Sequence, residues 1–86
     1  MHEFALMKDL VKKIESIAKE NNSDKVTKIS VKLGALSHMS SEHFKEHFLP
    51  ISSGTIYENA ELDIEEDSDI NAPDAQNILL KSIDII

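Results

Sequence analysis

Hydrophobic and polar positions follow two different periods along this chain. Leu6, Leu10, Ile14 and Ile17 recur at i, i+4, i+8 and i+11, with Val11 and Ala18 beside them, so one face of a 3.6-residue helix is apolar. Lys8, Lys12, Lys13, Glu15 and Lys19 fall largely on the other side, and Asn21-Asn22-Ser23-Asp24 stops the helix. The period then drops to two. Ile29, Val31 and Leu33 alternate with Lys28, Ser30 and Lys32, which reads as a half-buried strand ended by Gly34. Ser40 or Ser41 can cap a second helix, in which Phe44 and Phe48 stand at i and i+4. Leu49 and Ile51 follow, and Pro50 and Gly54 close the segment. Leu62 and Ile64 alternate with acids in a strand over Ala60–Glu66. A last strand covers Ile78–Ile86. Its register is less clean, because Ile83 and Ile85 share a face with Lys81; the expectation is Ile83 and Ile85 inward, Ser82 and Asp84 outward.

The order α-β-α-β-β predicts an α+β fold, with two helices packed on one face of a three-stranded sheet. Leu10, Ile14, Ile29, Val31, Leu33, Phe44, Phe48, Leu62, Ile64 and Ile83 should form the core. The segment Asp67–Asn77 is a polar connection between two strands. With 86 residues the chain makes one domain, 1–86. A chain this short buries only ~60% of its unfolded surface, so the core is small.

Charge and composition narrow the function. Nine Lys+Arg against 16 Asp+Glu give a net charge of −7. An acidic surface repels phosphate, so no nucleic-acid partner is expected. No basic cluster exceeds Lys12-Lys13, so no membrane surface is expected either. There are no cysteines, hence no disulfide, no Cys-ligated zinc and no thiol nucleophile. The start lacks a basic region followed by an apolar run, so a cytoplasmic location without a signal peptide is expected. Two glycines make a phosphate cradle improbable, and no Ser/His/acid constellation stands out. The chain reads as a non-enzyme.

Four blocks carry a family resemblance. They are Met1-His2-Glu3, Val31-Lys32-Leu33-Gly34-Ala35-Leu36-Ser37, the run from Gly54 to Glu66, and Ser82-Ile83-Asp84-Ile85. In this order they resemble the nickel-incorporation metallochaperone family of hydrogenase and urease maturation (HypA/HybF). The resemblance implies a nickel site at His2 and, more weakly, Glu3. It implies docking on a nickel-handling GTPase, delivery to a nickel enzyme or its maturation complex, and a zinc lobe with two Cys-x-x-Cys pairs ahead of the last strand. This chain departs from the pattern twice. The loop 67–77 stands in place of the zinc lobe, and position 40, often acidic in the family, is Ser40.

The terminal tripeptide has its own chemical logic. The Met1 α-amine, the His2 amide nitrogen once deprotonated, and the His2 imidazole offer three coplanar nitrogens. The Glu3 amide nitrogen, its carboxylate or water can fill a fourth place. Planar nitrogen and oxygen donors suit Ni(II) or Cu(II) better than zinc. The expectation is weak, pH-dependent Ni(II) binding and no zinc. The plain alternative for His2 is a solvated residue on a frayed terminus. His43 and His47, at i and i+4, can share one ion, but they lie about 100° round the helix from the Phe44/Phe48 stripe and also read as a solvated, pH-sensitive face. His38, in the loop after Leu36-Ser37, is a further candidate ligand in place of the missing acid. The run Glu58, Glu61, Asp63, Glu65, Glu66, Asp67, Asp69 either collects cations or forms the wet face of a strand.

Two functions follow. One is a minimal nickel metallochaperone that assists nickel insertion into hydrogenase or urease, favoured by the intact Met1-His2-Glu3. The other is a protein-interaction module of that family that has lost metal delivery, favoured by Ser40 and the missing cysteines.

Overall fold

The computed structural model describes the backbone of residues 2–37 and 39–86 and the side chains of residues 5–37 and 39–86. Five elements follow in the expected order: α1 (His2–Glu20), β1 (Val26–Leu33), α2 (Ser41–Ser52), β2 (Glu61–Glu66) and β3 (Ile78–Ile85).

The buried line of α1 runs through Met7, Leu10, Ile14 and Ala18. Leu6, Val11 and Ile17 flank it, half-buried, so the stripe is turned slightly from the Leu6–Ile17 line that periodicity suggested. The helix ends in a Schellman arrangement. Asn22 takes φ 52°, Ser23 N–H donates to the Ala18 carbonyl at 2.9 Å, and Asn22 N–H donates to Lys19 at 3.1 Å. Asparagine serves here because it tolerates the left-handed region better than most residues with a Cβ. A short connection then turns the chain back into β1.

The sheet order is β2-β1-β3, with β1 parallel to β2 and antiparallel to β3. β1 is therefore central, and its inward residues Ile29, Val31 and Leu33 are fully buried. Leu62, Ile64 and Ile83, expected in the core, are only partly buried and pack against it, because they lie on edge strands. Two register irregularities account for the broken alternation. Between Val26 and Lys28 an extra residue, Thr27, lets Val26 and Ile29 both face inward. Between the Ser30–Ser82 and Val31–Leu80 pairs the extra residue is Lys81. That bulge resolves the ambiguity at the last strand: Ile83 and Leu80 both reach the core side, while Lys81 meets the Glu65 carboxylate at 2.8 Å.

Ser40 caps α2, its hydroxyl accepting from His43 N–H at 3.2 Å. Phe44 and Phe48 point into the core, their rings 5.5 Å apart. Pro50 does not close the helix, which continues to Ser52. Proline forfeits only one backbone bond here, in the last turn and on an exposed side. Tyr57 was not expected in the core. It is buried beside Phe48, with ring centroids 5.8 Å apart, and its hydroxyl donates to the Glu15 carboxylate at 3.2 Å. Burial, then the Glu15 charge and hydrogen bond, push the phenol above its ordinary value. Met7, Val26, Met39 and Ile78 complete the single core shared by both helices and one face of the sheet.

The other face is wet and charged. Lys28 pairs with Glu61 at 3.8 Å, and Lys32 with Asp67 at 3.5 Å and Asp74 at 3.9 Å. The exposed Lys28–Glu61 pair adds little; the Lys32 pairs are half-buried. Glu66 is used differently: its carboxylate accepts from Ser41 N–H at 2.8 Å and Ser41 hydroxyl at 2.7 Å, tying the end of β2 to the start of α2. Those two bonds hold its pKa below the ordinary value. Since the folded value lies below the unfolded one, this contribution is complete above the ordinary glutamate range and is lost as pH falls through the folded value. The melting-temperature gap between the wild type and Glu66→Gln should therefore narrow as pH is lowered from 7 toward 3. A gap that stays constant would contradict the capping role.

Candidate metal centre

α1 and β1 run in opposite directions, because only the short 21–25 connection joins them. Nineteen helical residues span about 28 Å, and eight strand residues about 26 Å. The two elements are therefore of similar length. β1 is followed by a turn at residues 35–37, and α2 begins at Ser41. The side chains of His2 and Glu3, and the whole of Met1 and His38, lie outside the described residues.

The turn after β1 is well anchored. Gly34 N–H donates to the Asn77 carbonyl at 2.9 Å and Leu36 N–H to the Ala75 carbonyl at 2.7 Å. The Ser37 hydroxyl donates to the Gly34 carbonyl at 2.7 Å and is buried. The 67–77 connection thus forms a strap over the turn, and Lys32 bridges its two ends through Asp67 and Asp74. Asp67 N–H donates to the Leu33 carbonyl at 2.9 Å, continuing β2 past its last residue.

At position 40 the hydroxyl is engaged in capping, so Ser40 acts as a helix cap rather than as a replacement for an acid. A carboxylate nevertheless reaches the start of α2 from elsewhere, that of Glu66 on Ser41. Sequence reasoning counted Glu66 only as one of an acidic run. Nothing local marks it, since its partner lies 25 residues away. His43 and His47 come together on α2, their ring centroids 4.5 Å apart. Among the described residues no group of three His, Cys, Asp or Glu side chains is arranged to hold a metal ion, and no helix is long and apolar enough to cross a membrane.

The described residues define a small α+β protein of two layers, both helices on one face of a three-stranded sheet. Comparison with known proteins gives the family. The model of the family described as hydrogenase/urease nickel incorporation, metallochaperone, HypA matches residues 1–72. The hydrogenase maturation factor HypA of Aquifex aeolicus is 40% identical over 65 residues, 76% of this chain and 56% of that protein. The one from Francisella philomiragia is 41% identical over 64 residues, 74% and 56%. The chain thus spans little more than half the length of the curated relatives it matches. The solution structure of the Ni metallochaperone HypA from Helicobacter pylori superposes with a TM-score of 0.77 over 100% of this chain and 98% of that one, at 22% identity, which speaks to fold alone. The chain belongs to the HypA family of hydrogenase/urease nickel-incorporation metallochaperones.

Proposed function

We propose that this protein is a nickel carrier that holds Ni(II) as cargo on Met1-His2-Glu3 and delivers it during maturation of a hydrogenase or urease. The observation that carries the reading is the family match, which begins at residue 1 and so includes the tripeptide. His2 supplies the leading imidazole and Glu3 a supporting donor. The Met1 α-amine and the intervening amide complete a plane of nitrogens suited to Ni(II). The first turns of α1 form the delivery face, toward a nickel-handling GTPase and the target enzyme in the cytoplasm. The protein binds and releases an ion without performing catalysis.

In this reading the 67–77 connection takes the place of the family's zinc lobe. The strap's backbone hydrogen bonds and its Lys32 pairs support a closure that does not depend on a structural ion. Protein purified without added metal should contain no stoichiometric zinc, and a chelator should leave its melting temperature unchanged. A chelator-induced loss of fold would contradict this.

Calorimetric titration of native-start protein with Ni(II) near neutral pH tests the carrier reading. His2→Ala should abolish the tighter binding event. Extra N-terminal residues should weaken it, because they turn the α-amine into an amide. His43→Ala and His47→Ala should leave that event intact. If the tighter event survives in His2→Ala, the terminal site is wrong. If native protein binds no Ni(II), the second reading, an interaction module without metal delivery, takes over; Ser40 as a cap and the absence of cysteine favour it.

A further inference from the structure

We propose that His43 and His47 form a second metal site, on α2, for a divalent transition ion that takes nitrogen donors, with Ni(II) as the probe. As a cargo station it rests on the carrier reading above; as a metal site it does not.

The helix fixes the geometry. α2 is held by the Ser40 cap at its start, by the Glu66 carboxylate on Ser41, and by Phe44 and Phe48 in the core. His43 and His47 are therefore presented at a set spacing, one turn apart, with His47 exposed and His43 half-buried. Their ring centroids stand 4.5 Å apart, with the planes tilted by 35°. An imidazole bound through nitrogen puts its ring centre about 3.2 Å from the ion, from a bond of about 2.1 Å and about 1.1 Å from nitrogen to centroid. Two such rings at right angles have centres about 4.5 Å apart; at a tetrahedral angle they stand about 5.2 Å apart. The observed spacing lies within the range at which two imidazoles can reach one ion. The same i, i+4 pairing is how helical metal motifs place two imidazoles on one ion. Water completes the shell, which makes the site weaker and more exchangeable than the terminal chelate. The net charge of −7 favours cation binding generally.

The experiment uses the full chain with its native start, carrying His2→Ala so that the terminal chelate is absent. Ni(II) is added and followed by calorimetry and by paramagnetic broadening of imidazole proton signals. One weak equivalent should remain, broadening His43 and His47 first, and it should disappear on further replacement by His47→Ala or His43→Ala. Alanine suits a helix, so these variants should fold, which their melting curves would verify. His38→Ala in the same background should leave the event in place. In the otherwise unaltered protein, His47→Ala should remove only the weaker of two events, which separates failure here from failure at the terminus. The proposal is overturned if His2→Ala protein binds no Ni(II), if binding persists without His43 and His47, or if it requires His38.

Discussion

Val31→Asp should leave no cooperatively folded protein at 25 °C. Val31 is fully buried in the middle of β1, paired with Ile64 on the parallel side and Leu80 on the antiparallel side. Its side chain faces the apolar core shared with α1 and α2, where a carboxylate has no counter-ion. An unpaired buried charge costs several kcal/mol even after relaxation. A chain of this length is stable by only about 4–13 kcal/mol, and the same substitution also removes apolar burial. Val31→Ala provides the comparison: it deletes two methyl groups, costs about 2 kcal/mol, and should still fold. Far-UV circular dichroism melts distinguish the two. A Val31→Asp protein that melts near the wild-type temperature would show that β1 is not the central strand.

Gly34→Ala should destabilise the domain by about 2–4 kcal/mol, through overpacking together with weakened backbone bonds. The cause is a close approach of backbone to backbone. A Cβ at Gly34 would fall onto the Ala75 carbonyl, 2.6 Å from its carbon and 2.7 Å from the Asp74 carbonyl oxygen. No side-chain rotamer relieves that clash, so the strap must lift, straining the bonds from Gly34 to Asn77 and from Leu36 to Ala75. For a domain of this size the melting temperature should fall by roughly 10–25 °C. Gly54→Ala is the informative contrast. Gly54 has φ 78° with nothing near its Cβ position, so alanine there meets only left-handed strain, about 1–2 kcal/mol. Gly54→Ala proving the more damaging of the two would refute the close packing of strap and turn. Since the strap anchors the turn ahead of Ser40, Gly34→Ala should also change the environment of the α2 cap, readable in the amide signal of His43.

The sequence by itself determined the fold class and most of its elements, because each element carries its own period. The α1 stripe, the Ile29–Val31–Leu33 alternation and the Phe44–Phe48 pair are local patterns, and the Ser40 cap is a local chemical preference. Element existence and the single apolar face of the sheet follow from these alone. The four family-like blocks were likewise legible in order along the chain, and the family match, over residues 1–72, takes in the first three.

The tertiary structure decided what depends on partners distant in sequence. That β1 is central, and that Leu62, Ile64 and Ile83 are therefore half-covered at the edges, is a matter of strand order, on which periodicity is silent. The bulge at Lys81 turns an apparent conflict of faces into a consistent one, but only pairing with β1 reveals it. Tyr57 lies in a turn and becomes core because Phe48 and Glu15 close over it. Glu66 is one acid among many until Ser41 claims it, and Gly34 reads as a strand end until the strap is laid across it. Short-range order is fixed by steric and hydrophobic rules acting within a few residues. These positions take their roles from contacts closed by folding, where the sequence separation is tens of residues and no local signal survives.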